Sequence, residues 1–259
     1  MSMKFEFTII IPSYNEKLNL VNVLEKISKV FKPYKYEILL FDDNSNDGTE
    51  LLFGKKIINF KEIKFNNEEN QLIFSKGSNC LKYIRNQSNK GKGYAIKESQ
   101  KLVNSNYTII HDADLEYETE DLTHFFRYKD NYPDIGFLIG KRFSGSSSQS
   151  FQYTHFLANK FLSHFFSFLF NQYISDIESC FKMFKSEIFK NFRLSRNDFV
   201  IEIELISEYL KKNKKLKILE IPIQYFPRTY NEGKKIKVKD GILATYFIII
   251  FRLKHLLKI

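Results

Sequence analysis

The chain has 259 residues, 43% hydrophobic and 27% charged, which suits one α/β domain, alone or with a small appendage, and excludes an intrinsically disordered chain. Its net charge of +10 suits an anionic partner (nucleic acid, a membrane surface or a phosphorylated substrate), although a lysine-heavy genome gives the same balance. Two cysteines, Cys80 and Cys180, make neither a metal-ligand spacing nor a disulfide framework, so a reducing, cytoplasmic compartment is expected.

Met1 to Thr8 contains Lys4 and Glu6 and does not read as a signal peptide. Phe7 to Ile11 is predicted to be a strand. Leu18 to Phe31 follows as a helix with Leu20, Val23, Leu24, Ile27 and Val30 on one face. Glu37 to Phe41 is a second buried strand, and Asp47-Gly48 starts a turn and helix. Residues 66–80 break the pattern as an inserted loop or extra hairpin, and residues 82–86 are a short strand. Gly93 to Val103 reads as helix, Tyr107 to His111 as strand, Glu120 to Tyr128 as helix and Ile135 to Ile139 as strand. Alternation of this kind indicates an open, mostly parallel sheet flanked by helices. Beyond a Ser/Gly-rich loop at Ser144 to Ser150 the chain is Phe-rich to Phe170. Polar Asn159, Lys160, Ser163 and His164 make that stretch an amphipathic helix or pair rather than a membrane span. Phe199 to Leu210 is helix, Lys217 to Ile223 strand, and Asp240 onward helix. The apolar part of that last helix, Ile242 to Phe251, falls well short of the roughly 20 residues a span needs. Basic Arg252, Lys254, His255 and Lys258 follow it, so it either docks on the domain or lies on an anionic membrane face.

In open α/β sheets ligands bind beyond the carboxyl ends of the strands. The first strand end reads IIIPSYNE. There Tyr14 offers a flat face to a base and Glu16 an acceptor to base or ribose, unless Asn15 is simply a helix cap with Glu16 in the first turn. The second, FDDNSNDGT, sets Asp42 beside Asp43, two carboxylates that need donors or cations, for which a base N–H and ribose hydroxyls are suited; an Asx-type turn is the alternative. In NKGKGYA, Gly91 and Gly93 allow close backbone approach to a ligand, and Lys90 and Lys92 can meet phosphate. The spacing is neither a Walker loop nor a dinucleotide fingerprint. Following the next strand, Asp112-Ala113-Asp114-Leu115-Glu116 places carboxylates where they can converge on one hard divalent cation, Mn²⁺ or Mg²⁺, that bridges a diphosphate. A solvated acidic turn is the alternative.

Taken in order, IIIPSYNE, FDDNSNDGT, NKGKGYAIKES, HDADLEYETEDL, IGKRFSG, SDIESCFKMF, FVIEIEL and EIPIQYFPRTYNEGKKIKVKDG resemble the family 2 inverting glycosyltransferases of GT-A fold, and within them the dolichol-phosphate mannose synthase-like group. The resemblance implies a Rossmann-like GT-A domain over 1–240, with a nucleotide-sugar-binding half at 1–118 and an acceptor-binding half at 119–240, followed by an amphipathic helix at 241–259. It implies a UDP- or GDP-linked sugar donor and a polyprenyl phosphate or glycan acceptor. By that analogy Pro12, Tyr14, Glu16, Asp42 and Asp43 line the nucleoside pocket, with Lys92 nearby. Asp112, Ala113 and Asp114 handle the diphosphate, and Asp112, Asp114 and Glu116 the metal. Arg142, after a strand end, can bind a phosphate. Arg228, Lys234 and Lys235 lie in a basic loop able to close over the diphosphate. Asp176 and Glu178 fall where the family places acceptor-site acids, and Asp176 is the expected base for a hydroxyl acceptor; Glu202 and Glu204 are weaker candidates. Two departures stand out. Residues 66–80 have no counterpart, and the transmembrane helices of some polyprenyl-phosphate synthases are missing, so the acceptor is expected to be either soluble or a lipid reached only peripherally, through 151–170 and the final helix. The rivals are a sugar-nucleotide pyrophosphorylase, which should open with a glycine-rich loop where this chain has IIIPSYNE, and a non-catalytic nucleotide-binding module. No motif supports nucleic-acid binding.

Overall fold

The computed structural model describes residues 4–54, 61–66, 71–144, 153–212, 216–229 and 238–257. In chain order the strands are β1 (Phe5–Ser13), β2 (Tyr36–Asp42), β3 (Lys61–Asn66), β4 (Gln71–Lys76), β5 (Asn79–Arg85), β6 (Ser105–Ile110), β7 (Ile135–Lys141), β8 (Lys182–Lys185) and β9 (Lys217–Pro222). The helices are α1 (Lys17–Val30), α2 (Leu51–Gly54), α3 (Lys92–Ser99), α4 (Leu122–Asn131), α5 (Tyr153–Phe170), α6 (Ser186–Lys190), α7 (Ile201–Lys212) and α8 (Val238–Leu257).

The nine strands of the described residues form one sheet, ordered β3-β4-β5-β2-β1-β6-β8-β7-β9. Its centre, β5-β2-β1-β6, is parallel, and only β4 and β8 run against the other strands. The architecture is therefore the expected α/β class: a Rossmann-like open, mostly parallel sheet flanked by helices, with a helical C-terminal segment. β2 is buried at every residue: its apolar run Ile38–Phe41 is covered on both faces, and buried Glu37 is answered by the Thr8 hydroxyl and the Asn104 amide. α1 buries Leu20, Val23, Leu24 and Ile27, the predicted stripe, while Val30 is half-buried.

The irregular stretch after α2 resolves into antiparallel hairpin pairing. β4 runs back along β5 through a turn at Gly77-Ser78, and β3 adds outside β4. The predicted extra hairpin is thus an extension of the sheet edge. β8 was not legible in KMFK. It is a buried antiparallel strand wedged between β6 and β7, and its four residues are too few to show a period. The Phe-rich region forms one helix, α5.

Register brings the strand ends level. Ser13 pairs with Asp42 and Asp42 with Arg85, while Ile10 pairs with Ile110. The turns at 14–16, 43–50, 86–91 and 111–116 therefore share one edge of the sheet. Backbone strain collects there. Asn15, Asn44 and Leu115 all have positive φ, at 53°, 63° and 60°. For a leucine this is a costly conformation, of order 1–3 kcal/mol, held only where surrounding contacts over-determine it.

Candidate active site

A cavity of about 500 Å³ opens along this edge. One wall comes from the strand-end turns: Pro12, Tyr14, Glu16, Asp43, Lys92 and the Asp112–Asp114 turn with Glu116. The opposite wall comes from Arg142, Phe143, Phe156, Asn159, Glu178 and Tyr225, and the N-terminal end of α8 adds Lys239, Asp240 and Ala244.

On the first wall the acids play different parts. Asp43 faces the cavity and organises the following loop. Its Oδ1 accepts from Asn86 Nδ2 and the Lys90 amide, both at 2.8 Å, and its Oδ2 from the Gly91 amide at 2.7 Å. Asp42, expected in the nucleoside pocket, points away from it. Its Oδ1 accepts the Ser45 amide at 2.9 Å and its Oδ2 the Tyr83 hydroxyl at 2.5 Å, with Arg85 Nε 3.9 Å away. Adjacent strand residues face opposite sides, so only one of the two carboxylates can meet the ligand, and Asp42 is the Asx-type turn anchor instead. The first turn also differs in its capping. Asn15 does not cap α1; its Oδ1 accepts the Asn46 amide, and the Lys17 amide is answered by Asp47 Oδ2 at 2.9 Å. Glu16 is thereby left facing Arg228.

Gly91 and Gly93 do allow a close backbone approach, but to the chain itself. A Cβ on Gly91 would lie 2.3 Å from Asn197 O, and one on Gly93 2.4 Å from Arg196 O. Gly91 also has a φ of +91°. The segment before α7 packs on the start of α3, which turns Lys92 into the cavity floor.

Lys92 Nζ bridges two acids, at 2.6 Å from Asp112 Oδ1 and 2.8 Å from Glu202 Oε1, the latter an ion contact off the hydrogen-bond axis. Glu202 Oε2 in turn meets Lys182 Nζ at 2.5 Å, and Lys182 donates to the carbonyls of Ile177 and Ser179, on either side of Glu178. A buried ionic chain, Asp112–Lys92–Glu202–Lys182, thus ties the first wall to the loop that carries Glu178. Burial opposes ionisation of Asp112, but Lys92 outweighs it and holds the carboxyl below its usual range. His111 stays neutral, since burial drives it down to about 4. Its Nδ1–H donates to Asp112 O at 2.6 Å and its Nε2 accepts from Thr119 at 3.0 Å.

Asp114 has a different balance. Burial first, then the Asp112 and Glu116 carboxylates, push it up to about 7. Arg228 is the counter-charge. Its Nη1 and Nη2 donate to the two Glu16 oxygens at 3.0 Å each, and Nη2 lies 3.1 Å from Asp114 Oδ2. Glu116 accepts the Arg228 amide at 2.9 Å and the Tyr225 hydroxyl at 3.3 Å, tying the segment after β9 to the turn after β6. Arg228 is therefore where a basic loop was expected, whereas Lys234 and Lys235 lie outside the described residues.

The expected convergence of Asp112, Asp114 and Glu116 on one point does not occur. Among the described residues no three acids form a ligand cluster, because each of these carboxylates has taken its own protein donor. The residues nonetheless fit a smaller role for a divalent ion. The donors are all oxygen, Asp114 carries a surplus of nearby negative charge, and magnesium-like ions are commonly held by one or two carboxylates plus substrate phosphate.

On the second wall, Asp176 is not available as a base. It is 1% exposed, and it accepts from the Arg142 amide, Nε and Nη2 at 2.9, 2.9 and 2.7 Å and from Asn159 Nδ2 at 3.1 Å. Burial opposes its ionisation, yet Arg142 holds it below the usual carboxylate range. It is a clamp that aims Arg142 at the cavity, where the guanidinium also lies 5.2 Å from the Tyr225 ring and 5.1 Å from Phe143. Glu178 and Glu202 do line the cavity, Glu202 already engaged by Lys92 and Lys182; for Glu178 the partner is Asn159. Asn159 Nδ2 reaches Glu178 Oε2 at 3.3 Å, and burial raises the Glu178 carboxyl above the usual value. Glu204 is tied to Ser195 and Arg196 instead, and does not line the cavity. Asn159, Phe143, Phe156 and Tyr225 were not singled out as site residues. The one visible signal was Asn159, a polar residue inside a Phe-rich helix.

Comparison with known proteins shows the family and the fold. The family description "Glycosyl transferase family 2" matches residues 8–193, well over half of the chain. Glycosyltransferase AglJ of Haloferax volcanii is 26% identical over 240 residues, covering 90% of this chain and 67% of the relative. Dolichyl-phosphate beta-glucosyltransferase of Dictyostelium discoideum is 26% identical, covering 97% and 75%. Dolichol-phosphate mannosyltransferase of Pyrococcus furiosus is 26% identical, covering 95% of this chain and 63% of the relative. Among solved structures, glucosyl-3-phosphoglycerate synthase from Mycobacterium tuberculosis, in complex with Mn²⁺, uridine diphosphate and phosphoglyceric acid, aligns with a TM-score of 0.67. It covers 97% of this chain and 78% of that one at 12% identity, a likeness of fold alone.

Proposed function

The chain belongs to glycosyl transferase family 2 and is a glycosyltransferase, and we propose that it moves a sugar from a UDP- or GDP-linked donor to a polyprenyl phosphate or glycan acceptor, with inversion, at the cytoplasmic side of a membrane. The observation that carries this reading is one cavity with two chemically distinct walls. Residues 1–118 supply most of the donor wall, where Pro12, Tyr14, Glu16 and Asp43 take the nucleoside and Asp112, Ala113, Asp114 and Arg228 the diphosphate. Residues 119–240 supply the acceptor wall.

In this reading Arg142, aimed by Asp176, binds an anionic oxygen of the acceptor and sets it in line with the anomeric carbon. Glu178 takes the proton when the attacking group is a hydroxyl. Its burial-raised carboxyl suits that exchange. A phosphate acceptor is already anionic and needs no base. Arg228 sits where charge builds on the departing diphosphate and leaves Glu16 and Asp114 to meet it. Asp114 would hold Mn²⁺ or Mg²⁺ together with the diphosphate, and such an ion neutralises the leaving group when bound. Two free thiols suit the reducing compartment proposed.

Thermal-shift screening with UDP-glucose, UDP-N-acetylglucosamine and GDP-mannose, with and without Mn²⁺, tests the donor assignment, because a ligand that binds only the folded state raises its stability. One donor should give a clear Mn²⁺-dependent rise. A flat response to all of them at millimolar concentration would refute it.

A further inference from the structure

We propose that α5 and α8 together form a docking face for the surface of an anionic lipid bilayer. α8 carries two apolar rows. The inner row, Ala244, Ile248 and Phe251, is buried. The outer row, Ile242, Tyr246, Ile249, Leu253 and Leu256, recurs at helical spacing and is exposed throughout, Ile242 to 70%. A helix that is apolar on both faces ordinarily sits inside a core or against lipid. α5 repeats the arrangement. Leu162, Phe166 and Phe170 are buried, while Tyr153, Leu157, Phe161 and Phe168 are exposed, Phe168 to 82%.

The two helices are neighbours that run in the same direction. Their N-terminal ends both line the cavity, through Phe156 and Asn159 and through Lys239 and Ala244. Their C-terminal ends meet where the Phe170 ring lies 5.7 Å from the His255 ring and 5.7 Å from the Arg252 guanidinium. Apolar surface on both helices therefore leads up to the cavity mouth.

Charge selects the occupant. α5 contains no acidic residue, and α8 contains only Asp240, which lines the cavity. Lys239 lies beside it at the cavity, and along the two helices stand Lys160, Arg252 and Lys254. Anionic headgroups answer such a border, whereas a second copy of the chain would oppose like charges. No helix among the described residues is long and apolar enough to cross a membrane, so α8 lies in the interface plane. Such docking would present the cavity to a lipid-borne acceptor, and that purpose rests on the reading above; the surface itself does not.

The full chain, without donor or acceptor, is floated with phosphatidylcholine vesicles that contain or lack phosphatidylglycerol. Binding to the anionic vesicles, weakened by salt, is expected. The double variant Ile249→Glu, Leu253→Glu, both exposed, should bind at least about tenfold more weakly while keeping its melting temperature. Unchanged binding by that variant overturns the proposal. So does a chain that never floats but elutes as a dimer that the variant splits. A second readout uses the lack of tryptophan in the sequence. Phe161→Trp emission should shift to the blue on anionic vesicles, and an unshifted spectrum counts against docking. A chain that floats yet transfers no sugar sinks only the transfer reading. One that transfers sugar to a soluble acceptor and never floats sinks only this one.

Discussion

The two walls of the cavity solve the problem of buried charge in opposite ways. On the donor wall, Glu16, Asp112, Asp114 and Glu116 face two cations, Lys92 and Arg228, and Lys92 is shared with Glu202. On the acceptor wall Asp176 holds Arg142 through Nε and Nη2, and Lys182 is taken up by Glu202 and two carbonyls. One wall is short of positive charge and fits a cation with a diphosphate. The other pairs its cations with acids before any substrate arrives, and Glu178 and Glu202 line the cavity there. A wall awaiting charge should lose function when altered, and a broken ion pair of the balanced wall should cost stability.

The largest effect expected is on the balanced side. Asp176→Ala leaves a buried guanidinium without its partner, and breaking such a pair costs about 3–5 kcal/mol, read from urea unfolding. Acid should expose the same clamp. The folded Asp176 ionises at a lower pH than its unfolded counterpart, so its contribution is complete above the ordinary carboxylate pKa of about 4 and drains away as pH falls toward the folded value. Asp176→Asn should flatten that part of the stability curve. An unchanged acid limb would mean that the pair is not what balances this wall.

Next in size is Asp114→Ala on the donor wall. Transfer should fall about 10²–10³-fold, the usual loss when a charge-stabilising group is removed. The Mn²⁺-dependent part of the donor thermal shift should vanish, while the ligand-free protein unfolds no earlier, since Asp114 is held at a cost. A retained metal-dependent shift would move the ion elsewhere. Glu178→Gln is expected to lower transfer to a hydroxyl acceptor by about a hundredfold and to leave donor binding alone. Transfer to a polyprenyl phosphate should barely change, so this variant also sorts the two acceptor classes. A loss of donor binding instead would erase the distinction between the walls.

The same contrast explains what the sequence made legible. The donor wall is built from residues at consecutive strand ends, and strand periodicity alone places Tyr14, Glu16, Asp43 and Asp114 on one edge. The acceptor wall depends on pairings across distance: Arg142 with Asp176, Asn159 with Glu178, Lys92 with Glu202. No local period reveals which of Asp176 and Glu178 turns inward. The choice is made by the Arg142 backbone amide and side chain, which together capture the first. β8 was hidden for a related reason, because a four-residue strand between two longer ones is defined by its neighbours. The glycines of NKGKG were legible as a close approach but not as to what, since Asn197 lies a hundred residues away.

The smallest effect should come from Asp42, one residue from the donor wall. Its carboxylate answers the Ser45 amide and the Tyr83 hydroxyl, both inside the protein, while Asp43 holds the Lys90 and Gly91 amides at the cavity edge. Asp42→Asn keeps one acceptor and lets the amide reverse roles with Tyr83, so the cost is about 1 kcal/mol of stability, that of a weakened buried hydrogen bond. The donor-induced thermal shift should match that of the unaltered chain. Asp43→Asn, by contrast, sets an amide N–H against a backbone N–H and should reduce that shift. Equal losses of donor binding in both variants would mean that the strand end moves as a unit with the ligand. The boundary between scaffold and wall would then lie at least one residue deeper than the side-chain directions place it.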